Sequence, residues 1–203
     1  EKGMAFEKLK ETLERNGFQV SVFATGEEAA AYLNREIDGI TVGMGGSMTI
    51  ADLGLKESLS THNVVFSHGY TPCSPEECQA MAAAAEVYIL SANGIAEDTG
   101  EILNIDGNGN RVASSLYGHR KVYFVAGKNK VSPDFASALH RVRNVVAPKN
   151  AQRLKRQTPC AAKADRCYDC HSPDRICRAL VVFYQKIRPM DMEVVLVDQE
   201  LGY

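Results

Sequence analysis

Short apolar runs alternate with amphipathic stretches along most of this chain, and that alternation leaves few folds open. Residues 18–24, 39–44, 63–69, 87–94 and 121–127 are apolar runs of strand length, and helical patterns fall between most of them. Phe6, Leu9 and Leu13 share one helical stripe that stops at Asn16 and Gly17. Residues 26–37 and 48–55 read as further helices. At residues 75–85, Ser74 caps the first turn, Pro75 takes its first position and Glu77 closes a capping box. A last helix is expected over residues 132–146, capped by Ser132 with Pro133 at its first position. Strand and helix units of this length predict an α/β fold with a mostly parallel sheet flanked by helices on both faces.

The pattern changes after residue 94. Residues 101–106 and 111–117 flank Gly107-Asn108-Gly109-Asn110 and read as a β-hairpin, because Asn and Gly tolerate the positive φ of a tight turn. Residues 178–187 and 192–203 read as two more strands around Arg188-Pro189-Met190-Asp191, a second hairpin added to the sheet. The chain has 203 residues, 45% hydrophobic and 24% charged, which suits one large globular domain over residues 4–203, with Glu1-Lys2-Gly3 set apart as a cloning remnant. No apolar run approaches the ~20 residues of a membrane span, and the first residues lack a signal-peptide core, so the expectation is a cytoplasmic protein with no membrane partner.

A formal net charge of -2 conceals an uneven distribution. Residues 1–148 carry 13 Lys/Arg against 18 Asp/Glu, residues 149–178 carry 8 against 3, and residues 179–203 carry 2 against 4. The basic segment, residues 149–178, also holds Cys160, Cys167, Cys170 and Cys177 in a C-x6-C-x2-C-x6-C spacing. Four thiolates can close a tetrahedral zinc site or hold an iron-sulfur cluster, with His171 able to replace one of them. The outer spacings match neither a ferredoxin run nor a zinc ribbon, and reduced structural thiols are the equal alternative. Cys73 and Cys78 flank a helix start and read as small packing groups, with Cys73 a minor nucleophile candidate. Lys149, Arg153, Lys155 and Arg156 lack interleaved aromatics, which favours a solvated face over a nucleic-acid groove.

Two loops carry the remaining chemistry. Gly45, Gly46 and Ser47 follow a strand and lead into a helix, where free N–H groups suit a phosphate or carboxylate, with Ser47 and Thr49 adding hydroxyls. The spacing is neither a dinucleotide fingerprint nor a Walker loop. Residues 91–101 place Glu97, Asp98 and Glu101 close together after a strand, and such crowding can raise one carboxyl group's pKa for general acid or base work. A solvated acidic turn is the plainer reading. His68 and Lys130 also follow strands and can enter the same cleft, whereas His62, His119 and His140 read as surface or helix-face residues.

Taken together, Val42-Gly43-Met44-Gly45-Gly46-Ser47, residues 91–113, Gly127-Lys128-Asn129-Lys130-Val131, residues 158–177 and the closing Leu201-Gly202-Tyr203 resemble the LUD (lactate utilisation) domain family, from about residue 5 onward. The cysteine-bearing segment is similar to that of short, clostridial-type members. The resemblance implies the fold shared by ribose-5-phosphate isomerase, glucosamine-6-phosphate deaminase and CoA transferases. It also implies that Gly45, Gly46 and Ser47 cradle a ligand opposite a wall that includes Asn93 and Gly94. CoA transferases carry a nucleophilic glutamate in a Ser-Glu-Asn-Gly motif; this chain has Ser91-Ala92-Asn93-Gly94, and alanine forms no acyl intermediate. Glu97, Asp98 and Glu101 are then the candidate catalytic carboxylates.

The sequence therefore carries three readings. The first is a protein of lactate or organic-acid metabolism that binds a small anionic metabolite. The second is a redox or assembly subunit whose cysteines hold a cluster or zinc and which docks a partner subunit. The third is a non-catalytic sensor of a sugar phosphate or acyl-CoA. A homo-oligomer is compatible with each.

Overall fold

The computed structural model describes residues 6–67 and 73–203. Glu7–Arg15 (α1) buries Leu9, Thr12 and Leu13 on one face and ends at Gly17, whose φ of 89° suits glycine. Gln19–Phe23 (β1) follows, then Gly26–Glu36 (α2) behind a Thr25 capping box. Thr41–Met44 (β2) leads to Met48–Asp52 (α3) and Leu55–Ser60 (α4). One helix was expected over residues 48–55, but Gly54 at φ 59° divides it. Val64–Ser67 (β3) precedes Pro75–Ala83 (α5), and the Ser74–Glu77 capping box has both of its reciprocal bonds.

Val87–Ser91 (β4), Gly94–Ala96 (β5) and Ile102–Asp106 (β6) come next, and Asn110–Leu116 (α6) stands where a hairpin strand was expected. The Asp106 carboxylate accounts for the difference: it accepts hydrogen bonds from the N–H groups of Asn108 (3.1 Å), Gly109 (3.2 Å) and Val112 (3.2 Å), and so turns the chain into a helix. Lys121–Gly127 (β7), a 3-10 turn at Lys128–Lys130 and Val131–Ser132 (β8) then lead to Phe135–Arg141 (α7). Asp134, not Ser132, caps α7, its carboxylate accepting from Ser137 N at 2.7 Å; Ser132 belongs to β8. A π-helical turn at Val142–Val146 joins α7 to Ala147–Arg153 (α8). Pro159–Lys163 (α9), Ala179–Phe183 (β9) and Asp191–Val197 (β10) complete the described elements.

The large sheet has the order β1-β10-β7-β4-β2-β3, with every neighbouring pair parallel. A second, mixed sheet runs β8-β5-β6-β9. β9 and β10 thus form no hairpin. Met192–Val197 is buried without a break, as a strand must be when it has a neighbour on each edge and cover on each face, whereas β9 is mostly half-exposed and lies at the edge of the smaller sheet.

Side-chain alternation divides the core in two. Leu90, Phe124, Val194 and Leu196 point to one face, where they meet Leu9 and Leu13 of α1 and Ile95, Ile102 and Phe183 of the smaller sheet. Ile89, Val125, Val195 and Val197 point to the other, against Leu33, Ile50, Leu55 and Leu59. Glu193 breaks the apolar pattern of β10 at 2% exposure, and its carboxylate is fully engaged. Lys121 Nζ donates to it at 2.6 Å, Ser21 Oγ at 2.6 Å and Tyr32 Oη at 2.7 Å. Among the described residues no helix is long and apolar enough to cross a membrane.

Cys73 and Cys78, expected to be packing groups, form a disulfide across the start of α5 with Cα atoms 5.7 Å apart. His119 is buried and not a surface residue: its Nδ1 lies 2.6 Å from Ala85 O and its ring 5.1 Å from that of Tyr88. Nor is His62 unpartnered, with Asp38 at 2.9 Å and Asn34 at 3.0 Å.

Two measurements check this arrangement. A Cβ at Gly43 would run into the main-chain oxygen of Ala82 and come within 2.7 Å of the Tyr88 ring, so Gly43→Ala is expected to cost about 1–3 kcal/mol in denaturant unfolding. Alkylation of the unfolded protein should modify Cys160, Cys167, Cys170 and Cys177 without reductant, and Cys73 and Cys78 only after reduction. Mass spectrometry reads the difference.

Candidate functional site

Strands β2, β4 and β7 are parallel, so the turns that follow them gather at one edge of the sheet. There the chain encloses a cavity of about 300 Å³ whose lining includes Ser47, Thr49, Ser91, Asn93, Arg111 and Lys130. α8 supplies Asn150 and Arg153 on another side, with Arg156, Ile176 and Tyr203 close by. The basic cysteine-bearing segment therefore contributes to the wall of the cavity and is no separate appendage. Asp174 closes the segment on itself, accepting from Arg156 Nη1 at 3.1 Å and from Gln157 N at 2.6 Å.

The glycine-rich turn serves close packing. A Cβ on Gly45 would meet Arg111 Cδ at 3.1 Å, and nothing stands near Gly46. Ser47 Oγ accepts from Ile50 N at 3.4 Å and caps α3, a helix of only five residues. Thr49 is 1% exposed: its hydroxyl donates to Leu201 O at 3.2 Å and accepts from Ser91 Oγ at 3.2 Å. Gly202 N donates to Asp52 Oδ2 at 2.7 Å, which fixes the segment carrying Tyr203 over α3.

Asn93 and Arg111 brace the opposite wall. Ile105 N donates to Asn93 Oδ1 at 2.8 Å, and Arg111 donates to Asn104 Oδ1 at 3.0 Å and Ile105 O at 2.6 Å, with Asp106 Oδ2 3.7 Å from its Nε. Arg153 Nε donates to Tyr203 Oη at 2.9 Å, and that hydroxyl donates to Asn150 Oδ1 at 2.8 Å. Among the side chains of the lining are four cations, Arg111, Lys130, Arg153 and Arg156, and one carboxylate, Asp106; Asp174, behind the lining, pairs with Arg156. Such a balance favours anions.

Lys130 is 3% exposed. Its ammonium donates to the main-chain oxygen of Tyr203, and the Tyr203 ring centroid lies 5.9 Å away. Burial, reinforced by the like charges of Arg141 and Lys149 and opposed by Asp52, lowers its pKa from 10.5 to about 7.

The sequence candidates divide accordingly. Gly46, Ser47, Thr49, Asn93 and Lys130 come together in the cavity, with Gly45 packed behind it on Arg111. Gly94 backs onto α7, where a Cβ would meet Ala138 O at 3.1 Å. Glu97, Asp98 and Glu101 are not brought to the cavity: Glu97 pairs with Lys8 at 3.4 Å, while Asp98 and Glu101 line a shallow depression with Asp134 and Tyr184. His68 lies outside the described residues.

Three of the four thiols have a polar neighbour within hydrogen-bond distance. Cys160 Sγ is 3.4 Å from Thr158 Oγ1, Cys167 accepts from Asp169 N at 3.3 Å, and Cys177 accepts from Arg175 Nη2 at 3.2 Å. Among the described residues no three His, Cys, Asp or Glu side chains gather as a metal-holding group, so this thiol arrangement does not fit a tetrahedral metal or a cluster. Asp106, Arg111, Asn150, Arg153, Arg156 and Tyr203 are among the lining groups that the sequence did not point to. Arg111 was placed on a hairpin strand, and Arg153 and Arg156 on a solvated face.

The displaced pKa of Lys130 has a measurable sign. Below pH 7 its ammonium carries the full cost of burial; between about 7 and 10.5 the unfolded chain binds the extra proton, so that cost falls as pH rises. Lys130→Met should therefore raise stability most below pH 7, on the order of a few kcal/mol, and least above pH 10. Thermal melts of both proteins across this range read it out.

Comparison with known proteins places these observations. The family model described as LUD domain matches residues 6–197. A crystal structure of a DUF162 family protein from Deinococcus radiodurans superposes with a TM-score of 0.55 at 13% identity, covering 94% of each chain. At that identity the likeness speaks for the fold. No curated protein matches the sequence.

Proposed function

Because the chain belongs to the LUD domain family, we propose that it serves organic-acid metabolism of the lactate-utilisation type by holding a small anionic metabolite in the cavity at the carboxyl ends of β2, β4 and β7. The observation that carries this reading is the lining itself, four cations against one carboxylate, with the hydroxyls of Ser47, Thr49 and Ser91 and the amide of Asn93 alongside. A lining of this kind can neutralise a carboxylate or phosphate and orient the rest of the molecule through neutral donors and acceptors.

The reading is of an anion site and not of an acyl-transfer centre. Ala92 is fully buried between the cavity residues Ser91 and Asn93 and offers no carboxylate. The candidates Glu97, Asp98 and Glu101 face a different part of the surface.

Calorimetry with lactate, pyruvate and ribose 5-phosphate at low salt tests it. Binding is expected for at least one of the three, weakened roughly ten- to a hundredfold by Arg153→Gln, since a charge-assisted hydrogen bond contributes roughly 1.5–3 kcal/mol. Absence of binding by all three, or binding indifferent to Arg153, overturns the proposal.

A further inference from the structure

Lys130 belongs to the lining of the anion cavity yet is only 3% exposed, so a solute cannot reach its ammonium until something moves. The residue that meets this ammonium is Tyr203. Lys130 Nζ donates to the main-chain oxygen of Tyr203, a carboxylate oxygen wherever the chain ends at that residue, and the Tyr203 ring centroid lies 5.9 Å away. At the far end of the same residue, the phenol oxygen accepts from Arg153 Nε at 2.9 Å and donates to Asn150 Oδ1 at 2.8 Å. Arg153 is exposed on α8 and Tyr203 is half-buried. Tyr203 therefore bridges a cation open to solvent and a buried cation of the same lining, using the oxygen acceptors that an anionic ligand would offer to both.

The attachment of this segment changes in kind over three residues. Leu201 is 7% exposed and packs in the apolar cluster with Ile50 and Val197. Its N–H donates to Asn129 Oδ1 at 3.1 Å, and its carbonyl accepts from Thr49 Oγ1 at 3.2 Å. Gly202 follows at φ 59°, where a Cβ would stand 2.8 Å from Thr49 Oγ1 and 3.0 Å from Thr49 N. Its own N–H donates to Asp52 Oδ2 at 2.7 Å. Tyr203 belongs to none of the apolar clusters of the described residues and is held by the polar contacts above. Leu201 is thus an anchor, Gly202 a residue free to take up a change of backbone angle, and Tyr203 an arm whose hydrogen bonds a charged ligand can replace.

We propose that Gly202 and Tyr203 form a gate over the anion site: in the closed form Tyr203 occupies Lys130 and Arg153, and an incoming carboxylate or phosphate takes both cations as Tyr203 turns outward about Gly202. This rests on the reading of the cavity as an anion site and names the residue that regulates it. Tyr203 is then a competitor carried by the chain, not a contact of the ligand. A ligand that binds only the open form has its affinity reduced by the fraction of molecules that are open, so whatever weakens the closed form tightens binding. That sign separates a gate from a wall, because loss of a wall contact weakens binding.

Two measurements on the full chain test the gate, each with lactate, pyruvate and ribose 5-phosphate in separate arms. In calorimetry, Tyr203→Phe removes the phenol's bonds to Arg153 and Asn150, and the anion that binds should bind roughly tenfold tighter, the weight of one charge-assisted hydrogen bond lost from the closed form. Gly202→Ala, which pushes the arm off Thr49, should shift affinity in the same direction. Hydroxyl-radical footprinting of the wild-type protein needs no variant: labelling of Tyr203, read by mass spectrometry against the exposed Tyr184, should rise by about twofold or more at saturating anion. Unchanged or weaker binding by Tyr203→Phe, or a fall in Tyr203 labelling as ligand enters, overturns the gate and leaves the anion site standing. No heat from the wild type or either variant with any of the three anions removes the site and the gate together.

Discussion

Six strands running in one direction impose the constraint from which the rest of this molecule follows. Each parallel neighbour must be reached by a crossover, so the turns leaving the carboxyl ends collect on one edge, whatever their sequences. β2 delivers Ser47 and Thr49 there, β4 delivers Ser91 and Asn93, and β7 delivers Lys130. The second sheet supplies the brace: Arg111, anchored on Asn104 and Ile105, packs against Gly45 and joins the two halves of the wall. The cavity is thus a product of topology first and of residue choice second.

Electrostatics give that space its character. The body of the chain, residues 1–148, is acidic, yet the cavity gathers cations from three separate sources: Arg111 beside the small sheet, Lys130 after β7, and Arg153 and Arg156 from the basic segment. Glu193 shows the opposite solution in the same fold, with one buried charge, one cationic partner and two hydroxyl donors, and no cavity. Where each buried charge is answered, the fold is closed. Where cations outnumber acids, a ligand can complete the balance.

The alternating pattern made the large sheet legible, because parallel strands buried on both faces are predominantly apolar, as Val87–Ser91 and residues 122–127 are. The gathering of Ser47, Asn93 and Lys130 at one edge was legible for the same reason, since strand ends could be counted. β10 was misplaced because adjacency along the chain was taken for adjacency in the sheet; its unbroken burial against the more exposed β9 is the signal that separates them. Arg111 escaped notice because Asp106 decides between turn and helix through three hydrogen bonds that the Gly107-Asn108-Gly109 pattern does not express. Crowded acids such as Glu97, Asp98 and Glu101 announce charge but not direction, and only packing against α1 and α7 reveals which way their turn faces.

The position of β10 also bears on how the chain reaches its fold during synthesis. β1 and β7 are not neighbours in the finished sheet; each hydrogen-bonds to β10. Until residues 191–197 have left the ribosome, two strand edges stand open, and the apolar side chains that β10 would cover remain wet. The nine described strands that precede it can therefore be present without a closed core, and the nascent chain passes through an aggregation-prone interval that chaperones would have reason to occupy.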